Sequence, residues 1–245
     1  MYQDKDILPD REVNWKGVRP IYKKLSDEFH VLLSAFDITI DDTTKIYLDH
    51  LICCIDRVDD ILDGLADREV RLLLSKSMIQ LINGDRDDLP RELKYPALQV
   101  SLLNLRWVAE KLSFKVALIE AAKVIFTKTE DKRHVEDIDL FIQMVQEEGK
   151  ATATLPLLII GALSNEGFTH FFTRLCRLMG VADMVADARS DYKSKIISFK
   201  PTLRIYIKLI GLTLTEGIQL LMMIPHKFRF VQYCFRFSTI LWKSK

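Results

Sequence analysis

Glycine and proline are scarce in this chain of 245 residues, with nine of the first and seven of the second. That disfavours a many-turned β fold and disordered or low-complexity segments. Cysteine is scarce too. Cys53, Cys54, Cys176 and Cys234 form no Cys-x-x-Cys motif and no evenly spaced set, so a disulfide framework is not indicated and the thiols read as reduced and intracellular. Neither sign of charge is in excess: 35 Lys and Arg stand against 34 Asp and Glu, which leaves no whole-chain case for nucleic-acid binding. The N-terminus, MYQDKDILPDREVNWKG, lacks a cationic start leading into an apolar run, so no signal peptide is expected. The most apolar late stretch, Ile205–Ile224, carries Lys208 and Glu216 and offers no uncharged run of eighteen; no transmembrane span is expected. The five histidines show no zinc-ligand spacing, and no nucleophilic triad can be inferred. These absences describe a soluble cytoplasmic protein.

What the chain does have is helical periodicity. Residues 1–20 read as a polar lead-in broken by Pro9, Gly17 and Pro20, and 21–245 as one α-helical domain with no visible linker or repeat. Apolar positions recur at threes and fours from Ile21, Leu25, Phe29 and Leu32 onward. Asp41–Thr44 offers N-cap chemistry for the next helix. The pattern continues past Gly64 through Leu65–Ile82, so Gly64 need not end that helix, and Asn83–Pro90 is the clearest loop. Helical spacing follows over Leu98–Phe126 and Ile138–Gln146, about Gly167–Ser194 and about Leu203–Met223, with Pro156 placed to kink or restart a helix. The basic and aromatic end, HKFRFVQYCFRFSTILWKSK, reads as a terminal helix docked on the core, with a membrane-surface patch as the alternative. The fold class is all-α, a helical bundle of mostly long helices.

Two acidic stripes carry the chemistry. In CCIDRVDDILDG, Asp56, Asp59, Asp60 and Asp63 fall within a sector of about 100° on one helix face. Clustered carboxylates in an apolar helix repel one another and lose solvation, so they call for a multivalent cation or an ordered cationic partner. In GVADMVADARSDYKSK, Asp183, Asp187 and Asp191 are each four apart and stack within about 80°. Paired carboxylate stripes offer hard oxygen ligands, which suit Mg²⁺ better than zinc, and Mg²⁺ bound through few carboxylates usually shares a phosphorylated ligand.

Asp59-Asp60-Ile61-Leu62-Asp63 is an uninterrupted DDxxD. Together with the second stripe it resembles the acidic motifs of class I isoprenoid-diphosphate enzymes, among them trans-isoprenyl diphosphate synthases, terpene synthases and squalene/phytoene synthases. The resemblance implies a helical bundle with a central active-site cavity, in which facing acidic motifs hold three Mg²⁺ on a substrate diphosphate. Carried over by motif, Asp59, Asp63, Asp183, Asp187 and Asp191 are metal ligands, with Asp60 in support and Asp56 outside the motif. Lys16-Gly17-Val18-Arg19-Pro20 is similar to the GKxxRP of the chain-elongating synthases, Arg68 to the first of their paired arginines, and Gly149-Lys150 with Thr152 to their GKT element. This makes Arg68 and Lys150, and more weakly Lys16 and Arg19, diphosphate contacts, and Lys193 joins them because it lies where many microbial terpene synthases carry a basic residue.

The sequence departs from the elongating synthases at specific places. Glu69 stands where the second arginine is expected, Ile52 where a His or Gln is, and the second motif has lost its Gln and its central second Asp. The fourfold rhythm of Asp183, Asp187 and Asp191 is closer to terpene and squalene/phytoene synthases. The expectation is a Mg²⁺-dependent terpene synthase-like enzyme that ionises one prenyl diphosphate and cyclises or quenches the cation. The alternatives are a prenyltransferase, elongating or head-to-head, and a catalytically silent partner subunit of a related synthase. A homodimer is compatible with this reading.

Overall fold

The computed structural model describes residues 13–90, 92–93, 95–161 and 165–227, and among them the chain forms eight α-helices and no strand. The all-α class read from the periodicity is the one observed. Contacts divide the chain into two compact units, Met1–Ile119 with Pro225–Lys245 and Glu120–Ile224.

The first unit is built on α1 (Pro20–Ser34), α2 (Asp42–Gly64), α3 (Arg68–Asn83) and α4 (Pro96–Lys111). Pro20 opens α1 at a position where its missing N–H costs nothing. Asp41 caps α2 by accepting the Thr44 backbone N–H at 2.7 Å. α2 packs against α1 and α4, and α3 against α4, around buried Leu32, Leu51, Leu74, Met78, Leu98 and Leu102. Each such leucine truncated to alanine would cost about 2–5 kcal/mol.

Two breaks correct the sequence reading. The helix carrying the first stripe ends at Gly64 rather than running into Leu65–Ile82. The Arg71 guanidinium collects the carbonyls of Leu65 and Ala66 at 2.8 and 2.9 Å, and Asp67 starts α3 by accepting the Glu69 N–H at 2.8 Å. The periodic stretch Leu98–Phe126 is likewise two helices. Ser113, at φ 60°, turns the chain between α4 and α5 (Lys115–Lys132).

The second unit contains α6 (Ile138–Ile159), α7 (Glu166–Lys193) and α8 (Leu203–Met223). Its core joins Phe141, Ile142 and Val145 of α6 to Val181, Met184 and Ala188 of α7, with Ile197, Phe199 and Leu209 closing it. Phe141 and Phe199 meet edge to face at 5.0 Å between centroids. Two glycines bring α6 and α7 together. A Cβ on Gly149 would stand 2.7 Å from the Cys176 carbonyl oxygen and 2.9 Å from the Arg177 Cα, and one on Gly180 would stand 2.7 Å from a Val145 methyl. Pro156 does not restart the helix: α6 runs through it to Ile159, at the cost of the N–H that proline cannot offer to the Thr152 carbonyl. The basic aromatic end lies, beyond Lys227, outside the described residues.

Candidate functional site

The KGVRP segment and the first acidic stripe are brought together. Gly17 takes φ 80° in a turn closed by the Val18 N–H on the Trp15 carbonyl, a conformation that only glycine adopts without strain. The turn aims Arg19 at α2. The Arg19 backbone N–H donates to Asp56 Oδ2 at 3.1 Å, its Nε to Asp56 Oδ1 at 2.5 Å, and its Nη2 to Asp59 Oδ2 at 2.6 Å. Tyr22, one turn into α1, lies under the guanidinium at 4.8 Å and gives its hydroxyl as a further partner to both Arg19 and Asp59. Burial works against the Arg19 charge, but the hydrogen bonds to Asp59 and Asp56 outweigh it and hold the guanidinium above its ordinary pKa.

Asp56 is thus the anchor of the stripe. It is 1% exposed, whereas Arg19 keeps 45% of its side chain in solvent. The family motif leaves Asp56 out. The signal that finds it is its place on the same helix face, one turn before Asp60, together with an arginine at a Gly-x-Arg-Pro helix start that needs a carboxylate to dock on. Outward along α2 the stripe opens: Asp59 is half-buried, and Asp60 and Asp63 are exposed. Arg68 is exposed at the first position of α3, and Lys16 is exposed in the turn, where its backbone N–H is bound by Asn14. The neighbouring Cys53 and Cys54 thiols are pushed up by burial, Cys54 to about 12, which takes them out of nucleophilic chemistry at neutral pH.

On α7 the second stripe occupies the side away from the core. Val181, Met184 and Ala188 are buried, while Asp183 is exposed and Asp187 and Asp191 are half-buried. Lys193 ends the helix in solvent, and Lys150 is exposed on α6. Gly149, read as part of a phosphate-binding element, has a packing role as the point where α7's backbone crosses α6.

The same crossing forms a cavity of about 260 Å³ within the second unit, with Gln146 from α6, His170, Arg174 and Arg177 from α7, and Glu216 from α8 around a Leu178, Val181 and Leu212 floor. Its cations are tied up internally. Arg174 pairs with Glu216 at 2.5 Å and also donates to Gln219, and Arg177 donates to the Gln146 amide oxygen at 3.1 Å.

Among the described residues no three Asp, Glu, His or Cys side chains converge as a metal-holding group. The stripes instead supply carboxylate oxygens one helical turn apart. That donor set fits Mg²⁺, which keeps several waters and binds through one or two carboxylates completed by substrate phosphate. Comparisons with models of known protein families, with curated proteins and with solved structures find no match.

Proposed function

We propose that this chain is a Mg²⁺-dependent, terpene synthase-like enzyme that ionises a single allylic prenyl diphosphate and cyclises or quenches the resulting cation. The observation that carries the reading is the placement of the motif carboxylates. Asp59, Asp60 and Asp63 on α2, and Asp183, Asp187 and Asp191 on α7, all stand outside the buried faces of long helices, where a diphosphate and its counter-ions can reach them.

Asp59, Asp63, Asp183, Asp187 and Asp191 would hold the metal. Bound there, Mg²⁺ supplies the positive charge that stabilises the departing diphosphate. The chain's exposed cations, Arg68, Lys150 and Lys193, add charge for the same anion as its C–O bond breaks. An apolar pocket then has to exclude water from the allylic cation. Arg19 favours one substrate over two. The residue on which an isopentenyl diphosphate site would rest is bound at three points to Asp56 and Asp59, so it supports α2 rather than a second diphosphate.

Incubation with Mg²⁺ and each of the C10 to C20 prenyl diphosphates should release hydrocarbons or alcohols, and Asp59→Ala should abolish them. Product that forms only when isopentenyl diphosphate is added would instead make the protein a prenyltransferase.

A further inference from the structure

Among the described residues, helix α8 presents an exposed apolar face. Leu203, Ile207, Ile210, Leu214, Ile218 and Leu221 are between 41 and 76% exposed. Their spacing of four, three, four, four and three keeps them within a sector of about 80°. The opposite side of the helix faces protein: Leu209 and Leu220 are buried, and Glu216, the helix's sole acidic residue, is bound by Arg174 of α7. A continuous aliphatic stripe about five turns long is more than scattered surface leucines and marks a contact surface.

We propose that the outer face of α8 lies on an anionic lipid surface. α8 is long and apolar enough to cross a membrane, at a mean hydropathy of 1.4. Its Glu216–Arg174 pair and buried Leu209 nevertheless commit one side to protein, so the helix lies in the interface rather than across it. The choice of lipid follows from the chain that continues from α8. Residues 225–245 contain five Lys or Arg, six aromatic residues and no Asp or Glu. Anionic headgroups attract the basic side chains, and aromatic residues favour the headgroup level.

The test is co-sedimentation of the full chain with phosphatidylserine/phosphatidylcholine vesicles and with phosphatidylcholine vesicles, alongside its elution volume with light scattering. No prenyl diphosphate enters, so the result is independent of the proposed reaction. The wild type should sediment with the phosphatidylserine vesicles, more weakly at raised salt and with phosphatidylcholine alone. Leu214→Asp with Ile218→Asp should lower apparent affinity about tenfold while leaving the circular-dichroism melt unchanged, since both side chains are exposed. Three results would overturn the proposal: no sedimentation by the wild type, equal sedimentation by the variant, or a wild-type dimer that the two substitutions dissociate.

Discussion

The aspartates of α2 and α7 share one spacing rule and sit in different surroundings. On α2 the stripe begins with Asp56, buried and bound twice by Arg19, and passes through Asp59, which holds the same guanidinium, before reaching solvent at Asp60 and Asp63. On α7 the stripe runs along the outer side of a helix whose inner side is held to α6 by Gly149 and Gly180. One helix is fixed partly by a charge pair reaching from α2 back to residue 19, the other by close backbone approach. Equal spacing therefore defines a helix face without defining what meets it. In α2 the counter-charge that clustered carboxylates require is built in at the inner end of the motif by Arg19, while Asp60 and Asp63 at the outer end are exposed.

The largest effect should come from Arg19→Ala. It strands the Asp56 carboxylate in a site that is 1% exposed, and breaking one side of a buried pair costs about 3–5 kcal/mol. Because Arg19 itself is 45% exposed, water can enter where it stood, so a loss near the lower end, about 3 kcal/mol, is expected in urea unfolding. A loss under about 0.5 kcal/mol, the range of an ordinary surface change, would mean that the pair does not fix α1 to α2. On the other helix Gly149→Ala tests packing in the same measurement. The new methyl would gain about 1 kcal/mol in helix propensity, yet it would lie 2.7 Å from a backbone oxygen that belongs to another helix. A net loss of about 2 kcal/mol is expected from overpacking.

Asp187→Asn sharpens the contrast from the other side. Asp187 is half-buried on the outer side of α7, and a near-isosteric surface change there should move stability by no more than about 0.5 kcal/mol. Under the proposed function it should still remove turnover of prenyl diphosphates, because it deletes a metal-ligand oxygen charge. Wild-type activity in this variant would separate the α7 stripe from the chemistry.

Local signals made the helices legible. Threes-and-fours spacing identified α7 and α8 nearly to their ends, and the Asp41 cap and the 83–90 loop were visible as composition. The breaks at 65–67 and at Ser113 were not, because they depend on a side chain four or more residues away, Arg71, and on a single left-handed residue, while hydrophobic periodicity continues across both. At the site, spacing put Asp56 and Asp59 on one face but could not supply their partner, since Arg19 is 37 residues away in sequence from Asp56 and 40 from Asp59. Gly149 was legible as an unusual residue and misleading as to cause. A glycine that lets two helices touch and one that admits a phosphate look the same in one dimension.

The smallest effect concerns how the two helices begin. α2 is capped by Asp41, whose carboxylate the Thr44 backbone N–H holds below its ordinary value, and α7 by the amide of Asn165, which accepts the Phe168 N–H at 3.0 Å and does not titrate. A carboxylate whose folded pKa is depressed contributes stability that is present above its unfolded pKa and is lost as pH falls through the folded one. Acidification below pH of about 4 should therefore loosen the first turn of α2 and leave the first turn of α7 intact. Amide hydrogen exchange, corrected for its intrinsic pH dependence, reads each turn separately. Protection at Thr44 and Lys45 should fall in the acid limb while protection at Phe168 and Thr169 holds. Asp41→Asn should remove the difference, since it gives α2 the same kind of cap that α7 already has. If both turns loosen together at one pH, the acid response belongs to carboxylates elsewhere, such as Glu110 beside Lys115 or Glu147 beside Lys128, whose ion pairs hold them below their ordinary values as well.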